Sequence, residues 1–171
     1  GKDIVRQKTD SAMEKLRVLD PNVRVRGKSL HVANENAGSL VCGADVVVDA
    51  TDNYPARYAL NRACVKYRIP LVHGAVEGTL GQLMTIVPKK GPCLQCLVPS
   101  LPPRKRAFPV LGATPGVIGC LQAMEAIKLI IGLGRPLIGR LLIFDGMEMV
   151  FEVMKVERDP HCEVCGRRSR G

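Results

Sequence analysis

Four of the seven cysteines in the chain form two Cys-x-x-Cys pairs, Cys93 with Cys96 and Cys162 with Cys165. Two residues between ligands let both thiolates of a pair meet one metal ion in a turn, and two such turns supply the tetrahedral four-thiolate site of structural zinc. The alternatives are a pair of disulfides, which a reducing compartment disfavours, and a thiol redox motif. Because the spacing occurs twice, the sequence favours a closed zinc site that is structural rather than catalytic.

The second stretch that could do chemistry is residues 46–61, VVVDATDNYPARYALN. Three consecutive valines are typical of a strand buried on both faces, and Asp49 and Asp52 fall where such a strand ends. Open α/β sheets place their ligand sites at this edge. Asp52 there can hold a divalent metal against a phosphate, or it can cap the following helix, which the local sequence favours. Asn53 is a further candidate cap, and Pro55 suits the first helical turn.

The surrounding pattern predicts the elements that position these residues. Strand, helix and strand follow one another, which indicates an α/β fold with a mostly parallel sheet and helices packed on it. The last two strands are predicted to be an antiparallel pair, and the last helix is apolar nearly all round, which predicts that it is buried. The predicted helices cover residues 8–19, 34–42, 56–68 and 116–131, and the predicted strands cover residues 23–25, 69–73, 78–87, 141–145 and 150–156.

Composition and length predict one domain over residues 1–171, because 46% of the residues are hydrophobic. The core should be aliphatic, since only 4% of the residues are aromatic. Residues 88–115 form a proline-rich loop that carries the first cysteine pair, and residues 157–171 form a tail that carries the second. That loop is a candidate partner-binding segment or a plain connector. The remaining cysteines, Cys42, Cys64 and Cys120, lie on predicted packed elements and are expected to be small buried hydrophobic residues.

The net charge of +9 permits binding to acidic partners. Much of the excess lies in two basic clusters, whose lack of interleaved aromatic residues is typical of solvated surface rather than of nucleic-acid recognition. Nucleic acid is therefore an unlikely partner. We also find no secretory signal and no uninterrupted apolar run of about 18–20 residues, so we expect a soluble, cytoplasmic protein that does not enter a membrane. The clusters are Arg104, Lys105 and Arg106, and Arg167, Arg168 and Arg170.

Five motifs in this order and spacing resemble the ThiF/MoeB/HesA family of E1-like, ubiquitin-activating-type adenylyltransferases. They are DATDNYPARYALN, IPLVHGAVEGTLGQ, GPCLQC, GVIGCLQAMEAIK and RDPHCEVCG, and the resemblance runs over residues 8–166. It implies a Rossmann-like sheet with helices on both faces, C-terminal antiparallel strands and a zinc tetrathiolate, usually in a homodimer. It also implies ATP-dependent activation of the C-terminal carboxylate of a small ubiquitin-like sulfur carrier that ends in Gly-Gly, in molybdopterin, thiamin or tRNA thiolation.

The resemblance assigns roles to three residues around the nucleotide. Asp52 falls on the family's metal and phosphate aspartate, Asn53 on an ATP-contacting asparagine, and Lys8 on a phosphate-binding lysine. Adenylation places negative charge on the α-phosphate and on the departing pyrophosphate, which magnesium at Asp52 and the ammonium group of Lys8 would stabilise. Judged locally, Lys8 is an ordinary surface lysine at a helix start. Glu125 and Lys128 are expected to be polar groups on the helix surface or at a dimer contact.

Two departures from the family pattern limit what the chain is expected to do. The family's N-terminal strand and glycine-rich turn, which receive phosphates on backbone amides, have no counterpart in this sequence. The chain resembles the C-terminal two-thirds of the family, so on its own it is expected to be inactive. Residues 99–115 contain no cysteine, and Cys120 lies in an apolar helix, which predicts adenylation without covalent sulfur relay. The alternatives are a non-catalytic zinc-stabilised scaffold and a basic zinc module for nucleic acid.

Overall fold

The computed structural model describes residues 7–102 and 110–166 of the chain. The chain divides into two compact units, Gly1–His31 and Val32–Gly171. The two basic clusters that were predicted to be solvated surface lie outside the described residues, so that prediction stays untested.

The first unit is built on helix α1 (Lys8–Leu19), whose bounds are those predicted from the sequence. The helix ends at Asp20, whose backbone N–H donates to the carbonyl of Leu16. The strand predicted over residues 23–25 is wrong, because these residues are irregular chain that follows a turn at residues 21–22. Alternation over three residues is too short a pattern to form a strand unless a neighbouring strand pairs with it.

The second unit is an α/β layer structure with a five-stranded mixed sheet in the order β1-β2-β3-β4-β5. β1 and β2 are parallel, and the other three pairings are antiparallel. Its strands are β1 (Val47–Asp49), β2 (Leu71–Glu77), β3 (Leu80–Ile86), β4 (Arg140–Asp145) and β5 (Val150–Lys155), and its helices are α2 (Asn34–Val41), α3 (Tyr54–Tyr67), α4 (Leu94–Leu97) and α5 (Ala113–Ile131).

The predicted mostly parallel sheet is not what these five strands form. Only two residues, Gly78 and Thr79, connect β2 to β3, and a two-residue connection makes an antiparallel hairpin. Gly78 has a φ of 61°, a conformation that favours glycine. The predicted antiparallel pair of β4 and β5 at the end of the sheet is confirmed.

Helices cover both faces of this sheet, as expected. Neighbouring residues of β2 point in opposite directions, so Leu71 packs in the cluster with α2 and α3, whereas Val72 packs in the cluster with α5. β1 lies at the edge of the described sheet, and Val48 is 45% exposed. The expectation that this strand is buried on both faces is therefore wrong for Val48.

Helix α3 begins where the sequence indicated. The side chain of Asn53 accepts a hydrogen bond from the backbone N–H of Ala56 at 2.9 Å, and Pro55 occupies the first turn. Arg68 closes the helix in the left-handed conformation, with a φ of 59°. The cap and the proline therefore fix the start of α3 directly after the strand-end turn.

Helix α5 is less buried than its apolar sequence suggested. Met124, Ile127 and Ile130 are 56%, 48% and 62% exposed, because only one stripe of the helix packs on the sheet. In length and composition α5 could also cross a membrane, and 22% of its 18-residue apolar stretch is buried. The polar side chain of Gln122 in α5 is nevertheless buried and forms a hydrogen bond with the sheet, as expected for a helix that packs on the sheet.

The three single cysteines differ in burial. Cys64 is fully buried in the α3 cluster, as predicted, and burial raises the pKa of its thiol to about 12. Cys42 and Cys120 are exposed, so the expectation that they are buried hydrophobic residues is wrong. Because Cys120 is exposed, the expectation that an apolar environment makes its thiol unreactive no longer has a basis.

Candidate functional site

The two Cys-x-x-Cys pairs meet in space, as their doubled spacing predicted. The four Sγ atoms all lie within 4.8 Å of one another. Across the pairs, Cys93 and Cys162 are 3.7 Å apart and Cys96 and Cys165 are 3.3 Å apart, sulfur to sulfur. A tetrahedral zinc ion with Zn–S bonds of about 2.3 Å separates its sulfurs by about 3.8 Å. All seven cysteines are free, so the disulfide alternative is not realised, and the donor set fits a tetrathiolate metal site.

Local backbone structure presents each cysteine pair. Cys93 precedes α4, and the N–H of Leu94 donates to the buried Oδ1 of Asn61 in α3 at 3.1 Å. In the tail, the N–H of Gly166 donates to the carbonyl of Cys162 at 2.7 Å. A Cβ at Gly166 would lie 2.5 Å from that carbonyl oxygen, so only glycine fits this turn.

Burial opposes ionisation of the first cysteine pair. It raises the pKa of Cys96 to about 11 and raises the pKa of Cys93 still further. Burial also acts against the Cys162 thiolate, but the N–H groups of Cys165 and Val164 and the neighbouring thiols outweigh it, and the pKa of Cys162 is lowered. Thiolates of the first pair therefore need a cation nearby at neutral pH, and metal binding would release their protons.

Asp52 lies in the turn between β1 and α3, at the carboxyl end of β1. Its side chain is exposed, and its Oδ1 accepts a hydrogen bond from Nδ2 of Asn53 at 3.1 Å. The capping role that the local sequence favoured for Asp52 belongs to Asn53 instead. Asp52 consequently presents a carboxylate to solvent at the edge of the sheet where ligands of α/β proteins bind.

Beneath this turn lies a buried, hydrogen-bonded aspartate–histidine pair that the sequence did not reveal. Asp49 and His73 are both 0% exposed, and Oδ2 of Asp49 is 2.9 Å from Nδ1 of His73. Burial alone would raise the pKa of Asp49, but the hydrogen bond and charge of His73 and two hydrogen bonds from Thr51 lower it below its ordinary value. The parallel register that places Asp49 opposite His73 was the missing information.

Two further side chains hold the backbone of the same segment. Arg57 is buried and donates from Nε and Nη2 to the carbonyl of Thr51, at 3.1 and 2.7 Å. Nε2 of Gln122 donates to the carbonyl of Asp49 at 2.7 Å and to that of Val72 at 3.2 Å. α3 and α5 therefore both fix the end of β1.

The structure corrects the interpretation of Glu125 as a surface or dimer-contact group. Glu125 is buried, and its Oε2 accepts from the N–H of Leu137 at 2.7 Å and from the hydroxyl of Thr85. Its other oxygen pairs with Lys128 one turn later. Glu125 thus joins α5 to β3 and to the chain before β4.

Lys8 is the first residue of α1 and is exposed. It belongs to the first compact unit, whereas Asp52 and Asn53 belong to the second. A joint site of Lys8 and Asp52 remains a prediction.

Comparison with known proteins identifies the family. The profile of the ThiF family matches residues 1–164. The chain is 45% identical over 169 residues to the SAMP-activating enzyme E1 of Haloferax volcanii, covering 96% of this chain and 62% of that protein. It is 41% identical over 156 residues to the protein HesA of a Nostoc species, covering 91% and 62%. It is 40% identical over 175 residues to the sulfur carrier protein adenylyltransferase of Thermus thermophilus, covering 96% and 64%.

Solved structures show the same fold. The crystal structure of Escherichia coli MccB superposes with a TM-score of 0.83 at 19% identity, covering 98% of this chain and 52% of MccB. MccB crystallised with ATP superposes with a TM-score of 0.81 at 21% identity, covering 95% and 51%. The chain thus spans about half of MccB and less than two thirds of each of the three relatives above. The match over residues 1–164 and the shared identity show that the chain belongs to the ThiF family.

Proposed function

We propose that the protein carrying this chain uses ATP to adenylate the C-terminal glycine of a small ubiquitin-like sulfur carrier protein. One observation carries the proposal: Asp52 presents an exposed carboxylate at the end of β1, directly before the capped start of α3. Names of the relatives support the reaction, since they include a SAMP-activating E1 and a sulfur carrier protein adenylyltransferase. The carrier, its Gly-Gly end and the pathway come from the family resemblance.

In the proposed reaction a carboxylate oxygen of the carrier attacks the α-phosphorus of ATP, and pyrophosphate leaves. Asp52 would hold magnesium, which when bound neutralises phosphate charge. Asn53 would contact ATP while its Oδ1 keeps the helix capped. Lys8 would place its ammonium group near the phosphates and stabilise the charge that develops on the departing pyrophosphate. Asp52 is suited to its role because it is exposed at the carboxyl end of β1, directly before the capped start of α3.

Zinc is the metal we propose for the four cysteines, in a structural role. Four sulfur donors complete a tetrahedral shell, so no coordination position is left for a substrate. The ion would join the segment after β3 to the tail after β5, which are 69 residues apart at Cys93 and Cys162. Exposed Cys42 and Cys120 lie outside this cluster.

The wider assembly is also proposed from the resemblance. The resemblance implies that a complete nucleotide site includes a strand and a glycine-rich turn that receives the phosphates on backbone amides, and we expect the 171-residue chain alone to be inactive. A homodimer is supported by the apolar surface of edge strand β5, where Phe151, Val153 and Met154 are each about half exposed.

We place the protein in the cytoplasm and expect neither a membrane nor nucleic acid as its partner. We also propose that the reaction proceeds without a covalent thioester in residues 99–115, which contain no cysteine.

ATP–pyrophosphate exchange tests the proposal. The native gene product and the 171-residue chain are each given a ubiquitin-like protein that ends in Gly-Gly, and Asp52→Ala is assayed in the native product. We expect carrier-dependent exchange from the native product and its loss in Asp52→Ala and in the 171-residue chain. Absence of exchange from the native product, with the zinc site filled, would instead favour the non-catalytic zinc-stabilised scaffold.

A further inference from the structure

We propose that the buried Asp49–His73 pair positions the Asp52 carboxylate through Thr51. The inference rests on the proposed function, because it assigns positioning residues to the same site. Asp49, His73 and Thr51 are positioning residues in this proposal, because they act on the ligand only through Asp52.

Both carboxylate oxygens of Asp49 are committed to specific partners. Oδ2 meets Nδ1 of His73 at 2.9 Å, and Oδ1 accepts from the backbone N–H and the hydroxyl of Thr51 at 2.9 and 2.7 Å. Asp49 and His73 are fully buried, so the pair has no freedom to reorient in solvent. Thr51, which directly precedes Asp52, therefore donates two hydrogen bonds to a carboxylate that is itself fixed.

The opposite side of Thr51 is held by a different helix residue. Arg57 donates two hydrogen bonds to the Thr51 carbonyl, which is the carbonyl of the peptide that joins Thr51 to Asp52. Arg57 itself is buried, and its guanidinium lies 5.4 Å from the centre of the Tyr54 ring. The peptide that leads into Asp52 is thus fixed from the strand side through Asp49 and from the helix side through Arg57.

Two more contacts hold the ends of this short segment. Gln122 of α5 donates to the carbonyl of Asp49, and the Asn53 cap holds the residue after Asp52. Asp49, Thr51, Asp52 and Asn53 therefore each take part in at least one hydrogen bond that involves a side chain, and Asp52 is the exposed acid among them. Charge-bearing groups buried this way add little to stability compared with apolar ones, so positioning is the better account of this network.

The matched variants Thr51→Val and Thr51→Ser test the proposal. Valine keeps the shape of threonine and removes the hydroxyl that bonds to Asp49, whereas serine keeps that hydroxyl. Each is made in the native gene product, and exchange is measured while magnesium is titrated. Loss of one hydrogen bond of about 1 kcal/mol predicts about a fivefold higher magnesium concentration for half-maximal exchange in Thr51→Val. Thr51→Ser should stay within about twofold of the parent on the same scale.

A second readout separates positioning from folding and does not need turnover. Calorimetry of ATP binding in the presence of magnesium should show weaker binding in Thr51→Val, and no further weakening when Thr51→Val is added to Asp52→Ala. Should Thr51→Val melt below the assay temperature, Arg57→Lys replaces it and is expected to shift the magnesium dependence in the same direction.

The outcomes distinguish this inference from the proposed function. A parent without exchange overturns the proposed function. A parent with exchange and a Thr51→Val variant with unchanged magnesium dependence overturns only the positioning role. An effect of Thr51→Val that persists at full size in the Asp52→Ala background also overturns it, because the hydroxyl would then act independently of Asp52.

Discussion

The cysteine cluster and the Asp52 turn are both held in place by helix α3, at different points along it, and they are assembled in opposite ways. The cluster joins segments 69 residues apart, and its sulfur atoms converge at a buried or half-buried point. The Asp52 turn is built mainly within nine residues, from Asp49 to Arg57, and ends in an exposed acid. From this contrast we expect the proposed zinc ion to stabilise the cluster, whereas hydrogen bonds fix the geometry of the turn.

α3 serves both regions with different residues. Its first turn is capped by Asn53 at the acid, while Tyr58 and Asn61 face the cysteine loop. The hydroxyl of Tyr58 donates to the carbonyl of Val98 at 2.7 Å, and burial raises the pKa of that hydroxyl. The two regions can therefore be perturbed separately by substitutions on one helix or beside it.

The largest effect is expected at the cysteine cluster. Cys165→Ser should abolish stoichiometric zinc, measured by elemental analysis, and should lower the melting temperature by at least about 10 °C, because structural zinc contributes several kcal/mol or more to folding. The matched control is Cys42→Ser, which changes an exposed cysteine outside the cluster. Equal zinc content in Cys165→Ser and the parent would contradict the tetrathiolate assignment.

A chelator should act on the same region in a pH-dependent way. Because burial holds the pKa of Cys96 near 11 and that of Cys93 higher, metal binding at neutral pH must displace protons. We therefore expect zinc affinity to rise with pH, and we expect competition with a chelator to extract zinc more readily at pH 6 than at pH 8, after correction for protonation of the chelator itself. An affinity that stays constant over this range would contradict thiolate ligation.

In contrast to substitutions in the cysteine cluster, substitution of Asp52 should have a large effect on activity and little effect on stability. Asp52→Ala is expected to reduce ATP–pyrophosphate exchange of the native product by about 100-fold or more, since it removes a group that acts on developing charge. The melting temperature should change by less than about 2 °C, because the side chain is exposed and is not the helix cap. A matched surface control is Glu157→Ala, which removes an exposed acid whose partner is Lys155. A drop in melting temperature as large as that of Cys165→Ser would erase the distinction between the two regions.

Sequence predicted the local features of both regions and failed where long-range pairing decides. The Cys-x-x-Cys spacing and the Asn53 cap are short-range signals, and both are confirmed. The burial of α5 was wrong because an apolar sequence does not say how much of a helix its neighbours cover. Asp49 was noticed only as an acid at a strand end, since its partner His73 is 24 residues away and is brought opposite by strand register.

The same limit explains the sheet and Glu125. A strand–helix–strand order favours parallel pairing, and it holds for β1 and β2, but the two-residue Gly78–Thr79 connection reverses the next strand. Glu125 has the sequence context of a helix surface, yet the N–H of Leu137 and the hydroxyl of Thr85 come to it from other elements. The spacing of apolar and polar residues along α5 does not indicate either of these two partners.

Removal of the Asn53 cap should have a smaller effect, on both activity and stability. Asn53→Ala removes the acceptor for the Ala56 N–H and is expected to cost about 1 kcal/mol, or about 2–4 °C in melting temperature. Asn53→Asp keeps a capping oxygen and should retain most of the stability. If the two variants melted at the same temperature, the hydrogen bond would not be the source of the stabilisation, and calorimetric melts of both decide the question.

The smallest effect is expected from the charge of Asp49, and it should depend on pH. The pKa of Asp49 in the folded protein lies below its ordinary value of 3.8, so the ionised carboxylate stabilises the fold above that value. The contribution is lost as pH falls through the lower, folded-state pKa. Asp49→Asn keeps the size and the acceptor for Thr51 but removes the charge. The difference in free energy of unfolding between the parent and Asp49→Asn should therefore shrink below about pH 4. Both proteins carry the same cysteines, so acid release of zinc cancels in the difference. A gap that widens in acid would mean that the pKa of Asp49 is raised by its burial, and that the His73 and Thr51 contacts do not compensate for it.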